Sequence, residues 1–176
     1  MLTELYLIRH GLPLNDRSIP YHTPPGPALA EAGRREAALA AAFLAQAKLE
    51  HLFVSPFART TQTAEVLLET LPLSVTFTSL IQEHGPGEQF DQVRSRMREL
   101  LAALHDGPHG CVGLVSHGSP IRAALLEVSH DKLDLSHHVY PGGNPAPTCG
   151  IWRVRFRADG PADCELIFRP QDSVTL

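Results

Sequence analysis

The sequence predicts an α/β protein, a three-layer α/β/α sandwich around a mostly parallel central sheet. Three observations carry that prediction. Leu5–Ile8, Leu52–Val54 and Cys111–Val115 are short apolar, β-prone runs without a polar break, the pattern of buried strands. Stretches of helical composition or helical apolar spacing separate them. Each run ends abruptly in polar residues, and open α/β sheets carry their chemistry just past the carboxyl ends of strands.

The elements follow in order. The first strand ends in Arg9-His10-Gly11. Residues 12–28 hold Pro13, Pro20, Pro24, Pro25 and Pro27, so they form a loop, because proline removes a donor and biases its predecessor away from helix. A loop this long in a compact domain is usually functional, and it is expected to wall the site; His22 within it reads as an exposed loop histidine. Leu29–Ala47, rich in alanine, leucine and charged residues, reads as a helix in which Gly33 marks close packing or falls just outside. Residues 51–55 form the second strand, and Pro56 fits the first turn of a helix running to about Glu69. Val75-Thr76-Phe77, after Pro72, suggests a third strand. Residues 79–90 form a loop carrying Glu83 and Glu88. Phe90, Val93, Met97, Leu100, Leu101 and Leu104 fall at helical spacings, and Gly107-Pro108 ends that helix. Residues 111–116 are a strand, followed by a helix with Pro120 in its first turn. Residues 129–147 hold His130, His137, His138 and a Gly-Gly-Asn-Pro turn. Residues 148–157 and 164–168 read as two antiparallel strands closing the sheet.

Length and composition bound the function. The 176 residues are read as one domain, 1–176, with a substantial core. Hydrophobic content of 43% and charged content of 19% are ordinary for a soluble globular chain. A net charge of −4 argues against a nucleic-acid partner, which would need a basic excess. Arg94, Arg96 and Arg98, spaced by two, spread around a helix and read as a solvated face. Cys111, Cys149 and Cys164 are expected on strands; without CxxC spacing they read as free thiols in a reducing cytoplasm, not a zinc site or disulfide framework. No run approaches the roughly 18 apolar residues of a membrane span, and no signal peptide is visible.

Three strand ends carry the chemistry. Arginine offers a planar fork for phosphoryl oxygens, histidine serves as nucleophile or acid/base near neutral pH, and glycine lets a ligand approach the backbone. Alone, Arg9-His10-Gly11 reads as a solvated pair at a strand end. A second strand ends in Ser116-His117-Gly118, and a third is followed by a helix start carrying Arg59. Two histidines and two arginines at three strand ends form a constellation that chance rarely supplies.

The sequence resembles the histidine phosphatase superfamily, also called phosphoglycerate mutase-like. The resemblance rests on Leu-Ile-Arg9-His10-Gly11, on Ala30-Glu31-Ala32-Gly33-Arg34-Arg35-Glu36-Ala37, on Ser55-Pro56-Phe57-Ala58-Arg59-Thr60-Thr61-Gln62-Thr63-Ala64 and on Val115-Ser116-His117-Gly118. It implies a phosphoglycerate mutase-like fold and a phosphohistidine formed on His10, with no metal or cofactor. Arg9 and Arg59 would bind phosphoryl oxygens, with Gly11 and Gly118 beside them, and a protonated His117 would complete the pocket. The family places a glutamic acid after the third strand, where Glu83 stands, with Glu88 as the fallback; it would protonate the leaving oxygen. Two departures matter. Leu12-Pro13 follows the first motif, and Asn15 comes five residues after the histidine where the family has an asparagine at six, so Asn15 is the candidate phosphate ligand. The segment Glu83–Glu88 lacks the insertion that covers the substrate in larger members. An open site is therefore expected, which favours a phosphatase over a mutase, because a mutase must keep water from its intermediate.

The sequence thus predicts a cytoplasmic, metal-independent phosphomonoesterase acting on a small phosphorylated metabolite, with no nucleic-acid or membrane partner. A phosphoglycerate mutase, a phosphohistidine or phosphoprotein phosphatase and a phosphate-binding module without turnover are its rivals. Oligomeric state is not legible.

Overall fold

β1 (Glu4–Arg9) and β4 (Cys111–Ser116) lie side by side at the centre of the sheet, parallel, with Glu4 opposite Cys111 and Arg9 opposite Ser116. This register brings the two His-Gly steps to the same edge. The structure is a computed structural model describing residues 1–171; the last five residues of the expected domain, 172–176, lie outside the described residues. With β2 (His51–Val54), β3 (Ser74–Phe77), β5 (Ile151–Arg155) and β6 (Asp163–Phe168), the strands run in the order β3-β2-β4-β1-β5-β6. The first four in that order are mutually parallel, while β5 runs antiparallel to both β1 and β6. The predicted three-layer sandwich with a mostly parallel sheet is therefore the observed fold.

Side-chain alternation splits the core in two. Leu5 and Leu7 of β1 face a cluster built on α3 (Phe90–Asp106) and α4 (Gly118–Val128). Tyr6 and Ile8 face a second cluster, built on α1 (Glu31–Leu44) and α2 (Ala58–Leu68). Burial on both faces explains why β1 and β4 read as unbroken apolar runs. Among the described residues, no helix is long and apolar enough to cross a membrane.

Four local readings need correction. α2 begins at Ala58 with Phe57 as its N-cap, so Pro56 precedes the helix. Cys149 lies in a turn with φ +50°, not on a strand, while Cys111 and Cys164 sit on β4 and β6; all three are free thiols. α1 is shorter than the reading over 29–47. The arginines of α3 are not merely solvated: Arg94 pairs with Glu127 and Asp131, and Arg96 pairs with Glu88 and donates to the Leu80 carbonyl at 2.7 Å. Composition could not show that α4 and the Glu83–Glu88 segment supply carboxylates to that face.

Gly33 lies inside α1, and close packing explains it. A Cβ there would collide with the Leu12 carbonyl oxygen. That carbonyl cannot yield, because it accepts from Ala30 N at 2.9 Å while Leu12 N donates to Glu36 Oε2 at 2.9 Å. Gly33→Ala is expected to destabilise the protein towards the upper end of the roughly 1–3 kcal/mol typical of overpacking, despite alanine's better helix propensity. Denaturant unfolding checks this; an unchanged midpoint would show that the contact relaxes.

Candidate active site

His10 follows the last residue of β1 and is fully buried. Its Nδ1 lies 2.8 Å from the Gly11 carbonyl oxygen, which can only accept, so Nδ1 carries the proton and Nε2 keeps its lone pair. Nε2 has no partner. The loop backbone is fixed from several sides: His10 N donates to Ser116 O at 3.0 Å and Gly11 N to Thr63 Oγ1 at 3.0 Å.

His117 caps the N-terminus of α4, and its ring centroid lies 5.2 Å from that of His10. Its Nε2 is 2.8 Å from Ser55 Oγ. Among the described residues the Ser55 hydroxyl proton has no other acceptor, so Ser55 donates and Nδ1 carries the His117 proton. That Nδ1 faces Glu83 Oε2 at 3.6 Å. Ser55 went unassigned in the sequence reading, although it opens the Arg59 motif; its role is visible only once β2 and β4 are adjacent. Gly118 starts α4 under Asn144, whose side-chain amide occupies the space a Cβ would need.

Arg59, in the first turn of α2, is fully buried. It donates through Nη2 to Glu83 Oε2 at 3.1 Å and through Nη1 to the Tyr21 carbonyl at 3.2 Å. Its guanidinium carbon stands 4.2 Å from the Tyr21 ring centroid and 4.7 Å from that of Phe57. Arg9, at the end of β1, donates through Nη1 to the Ala146 carbonyl at 2.8 Å. Glu83 follows a single 3₁₀ turn, Ser79–Ile81, and its Oε1 accepts from His84 N at 2.9 Å.

Burial, then the charges of Arg59 and Arg9, hold the His10 pKa well below the usual histidine value of 6.5. Burial, the His10 ring and the same two arginines do so for His117. The expectation that His117 carries positive charge is thus corrected: two guanidiniums already occupy that field.

The structure brings Arg9, His10, Arg59, Glu83 and His117 together, with Gly11 and Gly118 at the strand ends that carry them. It does not bring in Asn15, which is exposed and lines a separate hollow within the loop, away from Arg9 and Glu83. Tyr21 takes the inner position, because the loop doubles back over Arg59 before the Ala58 N–H bonds the Pro25 carbonyl at 2.8 Å. Glu88 is withdrawn as a candidate acid: Arg96 binds it at 2.8 Å and holds its pKa down, and its Oε2 accepts from Gly85 N at 2.9 Å. The open site is also corrected. His10, Arg59 and His117 have no exposed surface; Tyr21 of the proline-rich loop covers the Arg59 guanidinium, and Phe57 packs edge-on against His117. What opens outward is a recess of about 350 Å³ lined by Arg9, Tyr21, His22, Glu83, Ser119 and the Pro141–Asn144 turn.

Among the described residues, four polar atoms of this cluster are buried without a hydrogen bond: Arg9 Nε, Arg59 Nε, His117 Nδ1 and His10 Nε2. Three are donors and one is a lone pair. Such orphans cost free energy unless a ligand satisfies them. One ligand atom from each of His10, Glu83 and His117 also lies within 4.8 Å of the others, a donor set that suits a divalent cation. The adjacent arginines oppose a cation and favour an anion.

The family model described as histidine phosphatase superfamily (branch 1) matches residues 5–87 and 79–162 of the chain. No curated protein matches it. Among solved structures, mycobacterial glucosyl-3-phosphoglycerate phosphatase is similar with a TM-score of 0.73 at 20% identity, covering 93% of this chain and 97% of that one. YhfR of Bacillus stearothermophilus gives 0.75 at 18% identity, over 94% and 96% of the two chains. Protein histidine phosphatase SixA, complexed with tungstate, gives 0.68 at 22% identity, over 97% and 99%. At these identities the likeness is one of fold.

Proposed function

Since the chain belongs to the histidine phosphatase superfamily, branch 1, we propose that it is a metal-independent phosphomonoesterase that works through a phosphohistidine on His10. The observation that carries this reading is the set of unpartnered atoms: three buried donors around one unprotonated imidazole nitrogen, the complement of a phosphoryl group under attack. In the first step His10 Nε2 bonds to phosphorus, the ester P–O bond breaks, and Glu83 gives the leaving oxygen its proton. Phosphoryl oxygens that engage Arg59 compete with its bond to Glu83, and so free that carboxyl group to carry the proton. In the second step water attacks phosphorus, the P–N bond breaks, and Glu83 takes the proton from water. The tungstate held by SixA, a tetrahedral oxyanion, is in keeping with such a seat.

Hydrolysis, not mutase transfer, is favoured by the recess. Among the described residues its lining holds no lysine and no arginine besides Arg9. Arg9 is needed for the reacting phosphoryl group, so among the described residues the lining has no further lysine or arginine to neutralise the carboxylate or second phosphate of a phosphoglycerate. A small cytoplasmic metabolite bearing one phosphoryl group on an otherwise uncharged body fits best. The wild-type protein is expected to release phosphate steadily from an aryl phosphate in excess chelator. Activity lost to the chelator and restored by a divalent metal would refute metal independence, and no hydrolysis of any monoester tried would refute the esterase reading.

A further inference from the structure

Tyr21 joins the two guanidinium groups of the site. Its ring covers Arg59 and its carbonyl accepts from Arg59 Nη1. Its side chain lines the recess with Arg9 and Glu83. Among the described residues no group accepts the phenol proton, which leaves it free to donate. A neutral phenol whose ring covers one arginine and which shares the recess with another, its proton unspent, suits an oxyanion.

Resting on the phosphomonoesterase reading, we propose that Tyr21 is a phosphate-binding residue, donating its hydroxyl proton to a phosphoryl oxygen while its ring keeps Arg59 aimed at His10. It supplies from the far arm of the loop the neutral donor that the family resemblance places at Asn15. The two positions are six residues apart, and the loop's return is what exchanges them. Burial raises the Tyr21 pKa, with Glu83 adding to the effect and Arg59 opposing it, so the phenol remains a donor at neutral pH.

The test separates ring from hydroxyl and binding from turnover. Inorganic phosphate is titrated calorimetrically into wild type, Tyr21→Phe and Tyr21→Leu, and aryl phosphate kinetics are measured on all three. Tyr21→Phe keeps the ring over Arg59 and is expected to bind phosphate about tenfold more weakly, with KM raised by a similar factor, kcat nearly unchanged and Tm retained. Tyr21→Leu, which also uncovers Arg59, is expected to lose more, in kcat as well as KM. Equal phosphate affinity in wild type and Tyr21→Phe would overturn the proposal. Tighter binding by Tyr21→Phe would overturn it too, since the hydroxyl would then obstruct the seat. A wild type that binds phosphate but hydrolyses nothing defeats the esterase reading alone, because the Tyr21 contact is judged on the binding ratio. A wild type that does not bind phosphate defeats both.

Discussion

His10→Ala is expected to lose at least about 10³-fold in aryl phosphate turnover while still binding phosphate. The variant removes the one unprotonated nitrogen in a ring of donors, so Arg9, Arg59 and His117 can still hold an anion with nothing to attack it. Turnover by wild type and variant, with phosphate binding and Tm as folding controls, measures the effect. Equal rates would mean that the nucleophile lies elsewhere. The sign of the pH dependence follows from the same environment. Burial and two arginines lower the His10 pKa, so the neutral nucleophile survives into mildly acidic solution. Corrected for the ester's own ionisation, the acid limb of kcat/KM is expected below the ordinary histidine value of 6.5. A limb centred above that value would contradict a buried imidazole facing two cations.

Glu83→Gln should separate leaving groups. Turnover of an alkyl phosphate is expected to fall by roughly 10²–10⁴, the span of general acid catalysis, whereas an activated aryl phosphate, which departs without a proton, should change little. The amide is nearly isosteric and its oxygen can still accept from His84 N, so the segment should keep its course. The variant also removes the counter-ion of the fully buried Arg59. Phosphate affinity is therefore expected to hold or rise as alkyl turnover falls, two effects of opposite sign that a merely loosened site would not produce. A uniform loss across leaving groups, with weaker phosphate binding, would remove Glu83 from the acid role.

Placement of the cluster was largely legible in the sequence because each member is tied to a strand end. A strand buried on both faces must be apolar, so its end is sharp, and the polar residues just beyond it fall on one edge of a parallel sheet. Arg9, His10, Arg59 and His117 could be placed this way. Glu83 could be placed only through the family resemblance, which sets a glutamic acid after the third strand. The failures share a cause. Asn15 was chosen by counting along a loop, and loop residues are positioned by where the chain returns, not by how far it has run. Arg96 read as solvated and Glu88 as a fallback acid because neither sequence neighbourhood shows that they meet.

The sequence by itself determined the alternation of strands and helices, the parallel core of the sheet and the edge on which the chemistry gathers, because periodicity and strand burial are local properties of the chain. Only the tertiary structure decided that both histidines and Arg59 are fully buried, that Tyr21 and not Asn15 stands beside the arginines, that Ser55 sets the His117 tautomer and that burial and the arginines hold both histidines neutral. Those outcomes depend on distances between segments far apart in sequence and on the desolvation that their packing imposes. Neither quantity exists until the loop, the helix starts and the strand ends have met.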